Sequence, residues 1–428
     1  MLQRFDLAGH GTDVRTEAQA GVATFMAMAY IAVVNPVMLS ETGMDAGALF
    51  VATCLAAAFG SVLMGLLANY PVALAPGMGQ NAFFTYGIVL GAGHAWETAL
   101  GAVFLSGLIF IALSVLPVRE WLINAIPKNL KLGIAAGVGL FLGFIALRGA
   151  GIVVANPATL VSFGDLASWG PALALAGFAL IAALSARGVT GAVVIGMLSI
   201  TVIGWLTGAA DFEGIVSLPP DPSPILFQLD IAAAFQWSMV TVILTLLLVD
   251  VFDTAGTLVG VASRSGLLDE QGRLPRLRGA LLSDSGATAA GALLGTSSTT
   301  SFIESGAGVA AGGRTGLTAI VVGMLFLTCL FFSPLAASVP PFATASALLF
   351  VAALMTRALA ELDWEEPTEY APAVATALAM PLSFSIADGI GVGFLCYVGG
   401  KLLAGRPGEV PAAVWVIAAV FGLKFALL

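Results

Sequence analysis

Apolar runs long enough to cross a bilayer follow one another from residue 18 to residue 404, and no polar block between them is long enough to fold alone. A bilayer core takes about 20 residues of helix and gives the backbone no water. Such a chain must close its hydrogen bonds inside helices or a closed barrel. The runs fall at 18–38, 46–69, 72–90, 96–116, 131–153, 170–186, 189–208, 232–256, 279–295, 298–311, 314–334, 341–360, 370–385 and 387–404. A further run, 411–427, is read either as an extra span or as an interfacial helix. At roughly 30 residues per span and loop, 428 residues make about 14 helices. The expected fold class is an all-α polytopic membrane protein.

Only 10% of residues are charged, against about 25% in soluble domains. The 51 glycines suit helices that approach closely. Residues 1–17 are polar and lead straight into the first run, so no cleavable leader is expected. Cys54, Cys329 and Cys396 lie in apolar runs and read as small core residues. His10 and His94 make no cluster, so no metal site or resident cofactor is expected.

Basic residues set the orientation. Arg4, Arg15, Arg119, Lys128, Lys131, Arg187, Arg264, Arg273, Arg276, Arg278, Arg314, Arg357, Lys401 and Arg406 all fall on one side if the amino terminus is cytoplasmic. Loop 209–231 carries Asp211, Glu213, Asp221 and Asp230 with no Lys or Arg, and reads as external. Arg148, near the outer end of segment 5, is the main exception.

Two polar, helix-breaking stretches interrupt this pattern at membrane depth: Leu74-Ala75-Pro76-Gly77-Met78-Gly79-Gln80-Asn81 and Thr296-Ser297-Ser298-Thr299-Thr300-Ser301-Phe302-Ile303-Glu304. Irregular backbone is tolerated there only where protein or a cavity surrounds it. Each is predicted as a short strand followed by a half-helix, beginning near Gln80 in segment 3 and near Ser301 in segment 10. Segments 1–7 and 8–14 share this plan, a long first helix and a closely spaced final pair. Seven is odd, so the second copy is inverted, and inverted repeats place a site near the midplane where the broken elements meet.

Glu304 stands one turn into the second half-helix. A carboxylate at membrane depth costs about 2.5–3.5 kcal/mol on insertion scales and marks function. Its spacing from Ser301 also fits a capping box. Asp250 and Asp253 share one helix face at i and i+3. Two carboxylates that repel in a low dielectric suit a proton carrier, or else a structural pair tied to hydroxyls. Phe83, Phe84 and Phe302 are candidates to stack on a flat ring, or ordinary packing residues. Thr24 and Phe25 of segment 1 are within reach of the same cavity. Tyr30, Asn35 and Pro36 form a further partly polar stretch there, with Asn35-Pro36 read as possible helix end. Asp388 reads as a cap for segment 14, and Arg314-Thr315 as a helix start.

At these residues the chain resembles the nucleobase–cation symporter family, in its azaguanine-resistance-type branch of adenine, guanine and hypoxanthine permeases. The resemblance runs essentially end to end. It includes Ile126-Pro127-Lys128-Asn129-Leu130-Lys131, Gly137-Val138-Gly139-Leu140-Phe141-Leu142 and Ala371-Pro372-Ala373-Val374. Glu304-Ser305-Gly306 matches this branch, whereas the uracil/xanthine branch typically has Asn where Ser305 stands. The resemblance implies 14 transmembrane segments in two inverted 7-segment repeats. It implies a core domain from 1–116 and 232–334, and a gate domain from 117–208 and 335–428 through which a homodimer forms. It implies proton-coupled symport of purine nucleobases across a cell inner membrane, with protons as the coupling ion and no nucleic-acid partner. Asn81, Asp250 and Glu304 would contact the base, lined by Phe302, Ile303, Phe83, Thr300, Ser301, Thr24 and Phe25. Asp250, Asp253 and Glu304 would carry proton coupling.

Three rivals follow from the same residues. An anion transporter of this architecture would want a positive site and, in related families, a soluble carboxyl-terminal domain. A xanthine or uracil permease would want Asn at position 305. A membrane enzyme would need a His or Lys near the Ser/Thr run to activate a nucleophile, and none is there.

Overall fold

The computed structural model describes residues 2–115, 126–265, 267 and 274–427. Arg119 and Arg273, used above for orientation, lie outside them. Helices α1 (Val14–Met28), α2 (Ile31–Ser40) and α3 (Ala46–Leu67) lead to strand β1 (Leu74–Pro76) and α4 (Met78–Ala82), which runs on as a π-helix over Phe83–Val89. Then come α5 (Trp96–Val115), α6 (Lys128–Gly149), a hairpin of β2 (Val153–Asn156) and β3 (Leu160–Phe163), α7 (Trp169–Ala186) and α8 (Ala192–Thr207). The second half holds α9 (Ile231–Ala234), α10 (Val240–Ser265), α11 (Leu277–Leu294), β4 (Thr299–Ser301), α12 (Ser305–Ala310), α13 (Gly316–Cys329) and α14 (Ser333–Ala337). It closes with α15 (Pro341–Thr356), α16 (Pro367–Ser383), α17 (Ile386–Leu403) and α18 (Ala412–Leu427).

The two interrupted stretches meet. β1 and β4 pair antiparallel, with Leu74 opposite Ser301 and Pro76 opposite Thr299. Two strands alone leave their outer edges bare, which a membrane interior does not permit. Hydroxyls from flanking helices close both edges in matching fashion. Ser61 of α3 accepts from Leu74 N at 3.0 Å and donates to Leu74 O at 3.1 Å. Thr288 of α11 accepts from Thr299 N at 3.2 Å and donates to Thr299 O at 2.9 Å. Leu74 and Thr299 each open their strand, so the pattern obeys a two-fold relation between the halves.

By packing, the helices sort into two groups. α1, α2, α3, α5, α11 and α13 gather around the strands; α6, α7, α8, α15, α16 and α17 pack on one another. Small residues allow the closest approaches. A Cβ on Gly65 of α3 would stand 2.4 Å from the carbonyl oxygen of Gly316, at the start of α13. Glu17, fully buried in α1, accepts from the backbone N–H groups of Arg314, Thr315 and Thr318 and so fastens α1 to the start of α13. Thr315 caps that start, as the sequence indicates.

Several expected boundaries are corrected. Asn35-Pro36 does not end the first span: the helix turns at Ala29-Tyr30 and continues to Ser40, burying Asn35. Proline is tolerated inside membrane helices because neighbouring groups satisfy the freed backbone. The eighth segment begins at Val240 rather than 232. Asp230 caps the short α9 before it, and the Phe235 and Trp237 that follow are exposed, as suits aromatics at a membrane interface. The second half-helix begins at Ser305 rather than near Ser301, because Ser301 belongs to β4. Cys396 is exposed, unlike buried Cys54, so it is not a core residue. Ser385, not Asp388, caps α17, and Asp388 accepts from Lys424 of α18 at 2.6 Å. That ion pair and the buried Val414 and Phe421 seat the last apolar run against α17. At the opposite end of this group Glu366 caps α16, and hydrogen bonds from Thr368 and Arg406 hold its carboxyl down at about 2.

Candidate functional site

Four carboxylates converge on the strand crossing. Asp250, on α10, is buried; its Oδ2 lies 3.1 Å from Thr288 Oγ1 and shares that hydroxyl's one proton with Thr299 O, and its Oδ1 has no hydrogen-bond partner. Asp284, on α11, is fully buried; its Oδ1 accepts from both N and Oγ of Ser301 at 3.0 Å, and its Oδ2 is unpartnered. Glu304 is half-buried, and its Oε1 accepts from the Tyr30 hydroxyl at 2.6 Å. Asp253 lies one turn beyond Asp250, within electrostatic reach of Glu304, Asp250 and Asp284. Among the described residues, the ion pairs involve none of these four.

Amides and hydroxyls complete the lining. Asn81 accepts at Oδ1 from Ser297, while its Nδ2 is unpartnered. Gln80 is fully buried with both side-chain ends unpartnered; it lies near Asp253 without hydrogen-bond geometry. Asn35 donates to Thr53 at 2.6 Å and Thr296 at 3.0 Å, linking α2 and α3 to the approach to β4. Thr254 and Thr300 share a hydrogen bond of 2.9 Å, joining α10 to β4. Gly77 is required by close packing, since a Cβ there would fall 2.1 Å from Gln80 Oε1 and 2.7 Å from Thr300 Cγ2. Buried polar atoms are nearly always partnered. Unpartnered acceptors on Asp250 and Asp284 and donors on Gln80 and Asn81 lie on the elements that meet at the strand crossing.

The residues singled out from sequence do not all share this place. Asp250, Asp253, Thr300, Ser301 and Glu304 come together, and Asn81 meets Ser297 just before β4. Phe302 is buried and its N–H donates to Ala73 O, extending the ladder. Ile303 is 59% exposed. Thr24 packs against Gly308 of α12. Phe25 is engaged edge-on with Phe326 of α13, with centroids 5.2 Å apart, which is helix packing. Phe83 is buried and rests on Gly87 of its own π-helix. The capping box does not form: Glu304 makes no cap bond, and Ser305 Oγ instead accepts from Ala73 N at 3.0 Å.

Asp284, Tyr30 and Gln80 were not among the candidates. Asp284 stands in Leu281-Leu282-Ser283-Asp284-Ser285-Gly286-Ala287, an isolated carboxylate in an apolar run, the same signal that marks Asp250. Tyr30 is 274 positions from Glu304, and no local pattern announces that bond.

The model of a family described as the Permease family matches residues 15–392. The chain is 47% identical over 425 residues to the adenine permease AdeP of Escherichia coli K12, covering 99% of this chain and 96% of that one. It is 45% identical over 430 residues to the guanine/hypoxanthine permease PbuG of Bacillus subtilis 168, covering 98% of each. Among solved structures, the transmembrane domain of the cyanobacterial bicarbonate transporter BicA superposes with a TM-score of 0.66 at 16% identity, over 87% of this chain and 96% of that one. That likeness is one of fold and supports the inverted-repeat architecture.

Proposed function

Because this chain belongs to the permease family, and so moves a solute rather than transforming one, we propose that it imports purine nucleobases by proton symport. The observation that carries the reading is the cluster of Asp250, Asp284, Asp253 and Glu304 beside the amides of Gln80 and Asn81, at the crossing of the two broken segments. A purine presents ring N–H donors and lone-pair acceptors around one flat edge, which is the complement of this lining. The full-length similarity to adenine and guanine/hypoxanthine permeases supports the same substrate class. An anion site would want positive charge, and this one is acidic.

In the proposed cycle a proton settles among Asp250, Asp253 and Asp284 and relieves their mutual repulsion. Glu304 and Asp250 then accept from the N–H groups of the base, Asn81 adds amide contacts, and Phe302 packs beside the ring. The group of helices around the strands moves as a core against the other group as a gate, which exposes the base to the cytoplasm. The amino terminus is cytoplasmic, the membrane is the inner one, and a homodimer forms through the gate.

Glu304→Gln tests the recognition step. Replacing one acceptor oxygen by an NH2 reverses the hydrogen-bond sense at the base, and sites that bond a specific edge discriminate strongly. The relative uptake of adenine, guanine and hypoxanthine is expected to change, together with a loss of affinity of roughly tenfold or more, as for a charged hydrogen bond of about 1.5–3 kcal/mol. Unchanged relative uptake in that variant counts against Glu304 as a ligand.

A further inference from the structure

Six residues beyond Asn35, about 9 Å at 1.5 Å per residue, Glu41 follows the end of α2 and faces a cavity away from the strand crossing. It holds about 240 Å³ and is lined by Met38, Glu41, Tyr86, Arg148, Thr344 and Leu348. Glu41 and Tyr86 belong to the elements that carry Asn35 and Asn81, while Arg148 and Thr344 come from α6 and α15 of the other group. The cavity therefore sits on the boundary between the two groups. The neighbouring chain marks its face: Gly47 packs on Pro220, and Glu213 N donates to Ser338 Oγ just before α15. This is the loop 209–231 side, which the basic residues assign to the outside.

The polar groups in this cavity are incompletely used. Tyr86 donates to Glu41 Oε1 at 2.6 Å. Arg148 lies with its guanidinium 5.8 Å from the centroid of Phe384, whose ring also meets Tyr86 edge-on at 6.0 Å. Among the described residues, no hydrogen bond or ion pair engages the Arg148 guanidinium, and none joins it to Glu41. Both charged side chains are exposed. An arginine at this end of a span also runs against the charge rule that the other basic residues follow. A guanidinium is a planar fork of donors that fits paired acceptors, as in its bidentate contact with guanine O6 and N7. A carboxylate across the same cavity takes ring or exocyclic N–H groups.

We infer that this cavity is an outer access site for the nucleobase, in which Arg148 and Glu41 hold the base before it passes inward to the strand crossing. The inference rests on the nucleobase reading above. A purine carrying O6 and N7 acceptors, such as guanine or hypoxanthine, gains both Arg148 contacts, whereas adenine offers only N7 as an acceptor there.

The test is flux of labelled hypoxanthine and adenine in right-side-out and inside-out vesicles, with the full chain, Arg148→Gln and Glu41→Gln. Both directions cross the same cavity, so Vmax/KM must fall by the same factor in each. From the outer face the fall is expected in KM, about tenfold for hypoxanthine and less for adenine in Arg148→Gln, with Vmax kept. From the inner face KM is expected unchanged and Vmax lowered. Equal KM shifts on both faces would place these residues in the central site or the general fold, and overturn the inference. So would a fall in Vmax alone on both faces, which denotes a gate, or kinetics like the parent's in both variants. Glu41→Gln gives an independent reading if Arg148→Gln fails to reach the membrane. Absence of purine flux in the parent chain overturns the functional reading and this inference together; parent flux with unsplit variants overturns this inference alone.

Discussion

Asp250→Asn is expected to abolish coupled purine uptake, a fall of at least about 100-fold, while the protein remains in the membrane at its normal level. Asparagine keeps the volume of the side chain, and its oxygen can still accept from Thr288 Oγ1, so the tie between α10 and α11 is preserved. What changes is the second atom. The unpartnered Oδ1 becomes an NH2, so an acceptor aimed at the site becomes a donor, and the negative charge that receives the proton is removed. Substrate recognition and coupling are lost in one step. Uptake of labelled base, set against immunodetected protein in the same membranes, reads the outcome. Near-normal uptake in this variant would remove Asp250 from both roles.

Asp284 separates structure from coupling. Its Oδ1 takes the Ser301 N–H and hydroxyl, both at 3.0 Å, at the end of β4. Asp284→Ala leaves a buried backbone donor unsatisfied, at a cost of about 1–3 kcal/mol. It is expected to lower the unfolding midpoint of the purified protein and to lose uptake. Asp284→Asn keeps an oxygen for Ser301 but removes the charge that faces Asp250. It is expected to retain most of the stability and to lose concentrative uptake, while base-for-base exchange persists. Concentrative uptake at the parent level in Asp284→Asn would restrict Asp284 to its structural bond.

The polytopic helical class was legible because hydropathy averages over about 20 residues, the same length scale that the bilayer imposes; among the described residues nine helices are long and apolar enough to cross. The broken segments were legible because Pro76, Gly77 and the Thr296–Thr300 run cannot continue a membrane helix unaided. The start of the second half-helix was misplaced because Ser301 stays in a strand through a bond to Asp284, seventeen positions away on another helix. Asn35-Pro36 reads locally as a helix end, yet Thr53 and Thr296 hold Asn35 inside the bundle.

The carboxylates at the strand crossing were legible wherever a charge interrupted an apolar run, as at Asp250, Asp253 and Glu304. Asp284 carried the same mark and could have been read by it. Tyr30 was seen only as part of a polar stretch, because its partner lies in the other half of the chain. The aromatic candidates carry the weakest signal. A phenylalanine has no signal that separates a ring against a ligand from one against another helix, and Phe25 proves to pack on Phe326.

The most direct test of the account is uptake of labelled adenine, guanine, hypoxanthine, xanthine and uracil into cells that lack their own nucleobase transporters, with and without a protonophore. Uptake is expected among the first three only, abolished by the protonophore. Uptake of xanthine or uracil instead, or purine uptake that persists without a proton gradient, would contradict it.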